Sequence, residues 1–370
     1  MEFDLRQLDT SEMVSFKLRE LYERYGYKKY KMRQFEAYSL YMENKTFLSS
    51  EQVITFTDLD GRLMALKPDV TLSIVKNVRT EHGTAEKVYY IENIYRPSRE
   101  TGAFKEIDQM GLELIGKLDK YAISEVVILA MMSLREVSDN YILDINHMSF
   151  LNGLCDYIGL SDVYRSKIIS IIGSRNSSEL SAVCEEAELS NENTELLLKL
   201  TGLYGSFDST QKLAESLIRN DDMSEAFESL KALNNTLASL GFKDKINIDY
   251  TSVNDIDYYN GIIFRGYVEG LSKSVLTGGQ YDNLMRRFKR CSDAMGFALY
   301  LNDLSQIQSQ KNDLDCDILI TYESKVPVES VVRTVGKFID EGYSVRAEKE
   351  KNGLKFKKHF VLKQDGLVEI

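Results

Sequence analysis

A stretch from residue 150 to 243 contains no proline and repeats apolar residues at helical spacing, while strand patterning brackets it on both sides. Ile168, Ile171 and Ile172, then Leu197, Leu198 and Leu200, then Leu217 and Ile218, then Leu230, Leu233, Leu237 and Leu240 predict several helices. Before it, Gln52–Phe56 and Leu63–Leu66 read as strands joined by the turn Asp58–Gly61, a hairpin. Residues 87–95 and 107–115 read as two more strands around a polar loop from Pro97 to Lys105, with helices expected over 10–25, 70–80 and 121–136. Thr10 or Ser11 is expected to cap the first helix, whose apolar face is Val14, Leu18, Leu21, Tyr22 and Tyr25. After the helical stretch, Ile246–Tyr250 and Ile262–Tyr267 return to strand patterning. A short α/β tail closes the chain. It has a strand at Asp317–Thr321, a helix from Pro327 with Val328, Val331, Val332, Val335, Phe338 and Ile339 apolar, a strand after Gly342, and a last strand at His359–Leu362. Strand blocks around a helical insertion predict an α+β fold with an antiparallel sheet. The expected division is a main domain over 1–310, carrying a mainly helical insertion at about 150–243, and a small α/β domain over 315–370.

Composition narrows the class of protein. The longest apolar run, Val126–Met132, falls far short of the roughly 20 residues a membrane helix needs, so no membrane association is expected. Met1–Asp4 is acidic and lacks a secretory pattern. Cys155, Cys184, Cys291 and Cys316 are widely separated, and the three histidines are His82, His147 and His359. No metal site or disulfide framework is expected, and the cytoplasm is the expected compartment. A formal net charge of −11 argues against a nucleic-acid partner, because phosphate binding draws on basic surface.

Several clusters carry chemistry. In Leu66-Lys67-Pro68-Asp69-Val70-Thr71, a carboxylate and a hydroxyl follow a proline that fixes the backbone, which makes a compact ammonium cradle. The competing reading is a helix start whose first N–H groups Asp69 or Thr71 satisfies. Gln109 and Glu113, in Asp108-Gln109-Met110-Gly111-Leu112-Glu113, are four apart on a predicted strand and so share a face. That face reads either as a ligand wall or as a polar solvent side. Asp257-Tyr258-Tyr259-Asn260-Gly261 and Thr277-Gly278-Gly279-Gln280-Tyr281-Asp282-Asn283-Leu284 bring tyrosines together with glycines that permit close approach of a ligand. The competing reading there is aromatic core.

Taken in order, these clusters resemble the histidyl branch of the class II aminoacyl-tRNA synthetases over about residues 1 to 310. Residues 26–42 occupy the place of the dimer-forming first motif, without its proline. Asn93–Gly116 is similar to the second motif, Ala294–Leu304 to the third, and Asp257–Gly261 with Thr277–Leu284 to the histidine signature. The resemblance implies a class II sheet flanked by helices. It implies that Asp69 and Thr71 hold the α-ammonium of histidine, that Gln109 touches the amino-acid backbone, that Glu113 and Tyr259 meet the imidazole, and that Tyr258 and Tyr281 line the pocket. Arg96 matches the arginine that grips the α-phosphate of ATP, across a one-residue deletion in the loop.

Two departures bear on chemistry. Asn254 stands where the family has the arginine that works on the reacting carboxylate, and Asp303 where it has the arginine on the γ-phosphate. Tyr300 replaces a glycine near the adenine. Losing one such charge stabiliser costs roughly 2.7–4 kcal/mol of transition-state binding, and a carboxylate facing triphosphate repels it. A synthetase-like chain with a histidine pocket and no ATP tools resembles the regulatory subunits of ATP phosphoribosyltransferase, paralogues of histidyl-tRNA synthetase. That resemblance implies a catalytically silent chain without a cofactor, L-histidine as ligand, and self-association as a dimer. It also implies a short-form catalytic partner in a hetero-octamer, and feedback inhibition at the first step of histidine biosynthesis. The tail of about 55 residues after Asp315 is shorter than the roughly 100-residue anticodon-binding domain of the synthetases. The alternative reading is a divergent histidyl-tRNA synthetase that still activates histidine.

Overall fold

Asp9 starts the first helix. Its carboxylate accepts from Glu12 N at 2.8 Å, and Glu12 reaches back to Asp9 N at 2.9 Å, a reciprocal cap one residue before the expected Thr10 or Ser11. The computed structural model describes residues 8–45, 48, 52–78, 85–98, 101–252, 259–290, 292–306 and 314–370. Asn254, Asp257 and Tyr258, together with His82, Arg99 and Cys291, lie outside the described residues. Contacts divide the chain into two compact units, Met1–Ile307 and Gln308–Ile370.

In the first unit, helix α1 (Thr10–Arg24) leads to β1 (Lys28–Lys29), β2 (Phe35–Ala37), α2 (Tyr38–Met42), β3 (Thr55–Thr57), β4 (Leu63–Leu66) and α3 (Thr71–Asn77). The long hairpin of β5 (Glu86–Pro97) and β6 (Phe104–Gly116) follows, then α4 (Lys120–Val137) and β7 (Tyr141–His147). The insertion comprises α5 (Met148–Ile158), α6 (Asp162–Ser174), α7 (Ser177–Glu186), α8 (Asn191–Thr201), β8 (Tyr204–Gly205), α9 (Phe207–Leu217) and α10 (Asp221–Ser239). The unit closes with β9 (Ile246–Asp249), β10 (Ile262–Val268), β11 (Leu276–Gln280), α11 (Asp282–Arg287) and β12 (Asp293–Tyr300). Nine strands form one sheet in the order β1-β5-β6-β12-β11-β10-β7-β9-β8, and β2-β4-β3 form a small antiparallel sheet beside it. The large sheet is antiparallel except where β1 meets β5 and β7 meets β9.

Among the elements that local patterning does not announce, β7 and β8 bear most on the sheet. Strand β7 is interior to the large sheet, paired with β10 over seven residues and with β9 on its other side, although Tyr141–His147 sits between two helical patterns. The insertion is not wholly helical, because β8 leaves it to pair with β9 at the edge of the sheet.

Strand alternation creates two faces with different fates. Met110, Leu112 and Leu114 of β6 point into a core shared with Leu18 and Tyr22 of α1 and Val126 and Ala130 of α4. Gln109, Gly111 and Glu113 point the other way, and that face is the floor of the candidate site. Lys67 is fully buried at the end of β4 and ion-pairs with Glu92 of β5. Removing one member of such a pair strands the other charge, at a typical cost of about 3–5 kcal/mol. No helix among the described residues is long and apolar enough to cross a membrane.

The second unit holds β13 (Cys316–Tyr322), α12 (Val328–Asp340), β14 (Val345–Glu348), β15 (Phe356–Lys363) and β16 (Gly366–Glu369), in the sheet order β14-β13-β15-β16. Strand β16 extends the tail beyond the expected last strand. Val331 of α12 is buried against Ile318 and Ile320, while Val328, Val332 and Ile339 are exposed. The helix buries one stripe against the sheet, and these three apolar residues fall outside it.

Candidate functional site

Glu113 lines a cavity of about 280 Å³, near the lower end of the roughly 300–1,000 Å³ of small-molecule sites. Thr71, at the start of α3, donates to Glu113 Oε1 at 2.7 Å, and Tyr281 donates to Oε2 at 2.5 Å. Burial pushes the carboxyl up to about 8, against the lowering effect of these two hydrogen bonds. Asp69, Gln109 and Tyr259 line the same cavity, as do Arg96 and Tyr281. The structure therefore brings the sequence-predicted residues Asp69, Thr71, Arg96, Gln109, Glu113, Tyr259 and Tyr281 to one place.

Three glycines of the sheet make the room. A Cβ at Gly296 would fall on the Glu113 carboxylate, one at Gly279 would lie 2.8 Å from Tyr259 Cδ1, and one at Gly111 2.5 Å from the Tyr90 hydroxyl. Gly296, Gly279 and Ile263 continue the row of Glu113 across β12, β11 and β10. The segments carrying Tyr259 and Tyr281 are tied together by Asp282. It accepts from Asn260 Nδ2 at 3.0 Å, Gln280 Nε2 at 2.8 Å and Ala294 N at 3.1 Å, while its own N–H donates to Asn260 Oδ1 at 2.8 Å.

The charged groups differ in their commitments. Asp69, one residue before the N-cap of α3, accepts from Leu72 N in the first turn at 2.9 Å and pairs with Arg96 Nη2 at 3.1 Å. Arg96 Nε also donates to the Pro68 carbonyl at 2.6 Å. The expected cradle of Asp69 and Thr71 is thus split in this structure, with Asp69 held by Arg96 and Thr71 held by Glu113. A second, wider opening of about 1100 Å³ carries Lys105, Glu106 and Asp303, and shares Arg96, Arg265, Ser274 and Tyr300 with the first. Tyr300 shares a hydrogen bond of 2.9 Å with the Thr277 hydroxyl, so the bulk that replaces a glycine stands where the two openings meet.

Sequence reasoning missed Tyr90 and Arg265. Tyr90 lies opposite Gly111 in the β5–β6 register, fully enclosed, and burial pushes its hydroxyl well above the usual tyrosine range. Arg265 lies two residues beyond Ile263 on the same face of β10. Strand alternation gives the face of each, but neither falls within a recognised motif, and only strand pairing shows what that face meets.

The cavity gathers two carboxyl groups, several hydroxyls, an amide and two guanidinium groups around one space, with Asp69 and Arg96 paired to each other. Residues 2–304 match the family model described as Histidyl-tRNA synthetase. An ATP phosphoribosyltransferase regulatory subunit from Bacillus mycoides is 30% identical over 321 residues, covering 84% of this chain and 76% of the relative. The chain belongs to the histidyl-tRNA synthetase-like family of ATP phosphoribosyltransferase regulatory subunits. A member from Acetivibrio thermocellus is 26% identical over 332 residues, 87% of this chain and 79% of its own.

Solved structures share the fold. An ATP phosphoribosyltransferase regulatory subunit/histidyl-tRNA synthetase from Bacillus halodurans superposes with a TM-score of 0.76 at 20% identity, covering 96% of this chain and 94% of that one. A chain of the ATP phosphoribosyl transferase complex from Thermotoga maritima gives 0.62 at 18% identity, covering 81% and 98%. The class II synthetase-like α+β fold is therefore that of this family, whose name marks a regulatory part of the enzyme and not its catalytic one.

Proposed function

We propose that this chain binds L-histidine in the cavity around Glu113 and, as a regulatory subunit, controls a short-form ATP phosphoribosyltransferase catalytic subunit in the cytoplasm. The catalytic subunit requires it for activity at the first step of histidine biosynthesis, and histidine acting through it provides feedback inhibition. The observation that carries this reading is the convergence of Asp69, Thr71, Gln109, Glu113, Tyr259 and Tyr281 on one amino-acid-sized cavity. Tyr258 belongs to the same proposed pocket. Self-association as a dimer and assembly with the partner into a hetero-octamer complete the reading.

The site is read as silent in adenylate chemistry. Asn254 and Asp303 stand in place of two cations, and Asp303 lies at the wider opening beside Glu106. Such losses do not add simply, but the sign reversal at Asp303 repels the triphosphate. Control of the partner is a linkage effect: histidine changes its activity if two arrangements of the complex differ in histidine affinity.

Reconstitution with a short-form catalytic subunit tests this. The partner alone is expected to be inactive, the mixture active, and added histidine inhibitory. The second reading, a divergent histidyl-tRNA synthetase, draws on Arg96, which stands where the two openings meet. Robust histidine-dependent ATP–pyrophosphate exchange by this chain would establish that reading and overturn the first.

A further inference from the structure

Among the described residues lining the 280 Å³ cavity, the carboxyl and guanidinium groups are those of Asp69, Glu113, Arg96 and Arg265. Three are already engaged: Asp69 with Arg96, and Glu113 with Thr71 and Tyr281. Arg265 differs. Its Nη2 atom is buried and has no hydrogen-bond partner. A buried cationic donor without an acceptor is costly, and the cost is recovered when an anion arrives. Its neighbours in register are Asp144 on β7 and Thr277 on β11. Asp144 accepts from Asn247 at 3.2 Å and feels the charge of Arg265 without a hydrogen bond to its Nη2, while burial pushes its carboxyl up to about 6.

Register also fixes where Arg265 stands relative to Glu113. The Glu113 row runs through Gly296 and Gly279 to Ile263, two residues before Arg265 on the same face. Three strand spacings across and two residues along separate their Cα atoms by about 16 Å. Both side chains line the one cavity, so a ligand seated in it has a carboxyl group towards one end and a guanidinium towards the other.

We infer that Arg265 receives the α-carboxylate of the amino-acid ligand, replacing the cation absent at Asn254. This rests on the histidine reading above. Binding is anchored at both ends, with the imidazole end at Glu113 and the carboxylate end at Arg265. Arg265 is thereby a specificity-determining residue that separates histidine from amines lacking the carboxylate.

The test titrates L-histidine and histamine calorimetrically into the full chain, alone and with its catalytic partner, as wild type, Arg265→Gln and Arg265→Lys. Loss of one charged contact predicts that Arg265→Gln binds L-histidine about tenfold or more weaker, while histamine affinity stays within about twofold. Arg265→Lys keeps the charge and is expected to fall between. An unchanged L-histidine affinity in Arg265→Gln overturns the assignment and leaves the pocket reading standing. Equal losses for both ligands also overturn it, because they mark a packing role. No L-histidine binding by the wild type, alone or in complex, overturns the assignment and the pocket reading together.

Discussion

Glu113 carries the most consequential single-residue physics in the molecule. Burial raises its carboxyl from the ordinary value of 4.5 to about 8, so the folded chain holds a proton there that the unfolded chain releases. Linkage then gives a definite sign: this contribution to stability is fully present below about pH 4.5 and is lost as pH rises through about 8. Glu113→Gln, which is uncharged throughout, is expected to flatten that part of the stability profile in denaturant melts of the ligand-free chain between about pH 3.5 and about pH 9 (about one unit beyond each limit). An unchanged slope contradicts the assignment. At this scale much of the site is legible in the sequence. Gln109 and Glu113 share a face because they are four apart on a strand, and Asp69, Thr71, Tyr259 and Tyr281 stand in short motifs. Their hydrogen bonds are not legible, since the link between Thr71 and Glu113 spans 42 positions and that between Tyr281 and Glu113 spans 168. Arg265 escapes notice because a lone arginine in a strand is usually solvent-facing, and only the register of β10 shows what it faces.

Strand pairing is what turns scattered residues into a site. Rows across β6, β12, β11 and β10 align Glu113, Gly296, Gly279 and Ile263, so the absence of two side chains opens the space in front of one carboxylate. Gly296→Ala places a methyl group on Glu113, whose oxygens are already held by Thr71 and Tyr281. The expected outcome is a stability loss of about 1–3 kcal/mol from overpacking and weaker histidine binding, read by denaturant melts and calorimetry. Full affinity with full stability contradicts it. The β5–β6 hairpin, the β3–β4 hairpin and the long helices follow directly from hydrophobic period and turn residues. Strands β7 and β8 do not. Tyr141–His147 is a short run between two strong helical patterns, and β8 is two residues long, so tertiary pairing and not local pattern defines both.

At the scale of the whole chain, the first unit contains the cavity and the family likeness, and the second is a separate α/β unit of 63 residues. The α+β class was readable because strand blocks bracket a proline-free helical stretch, whereas a mixed sheet of nine strands in a crossed order depends on contacts far apart in sequence. The central claim is that the chain retains a histidine site without the charges of adenylate chemistry. Calorimetric titration of L-histidine into the purified chain, and into its complex with a catalytic partner, tests it most directly. The account predicts saturable binding that weakens about tenfold or more in Glu113→Ala with the fold intact. Absence of histidine binding in both the chain and the complex would contradict it.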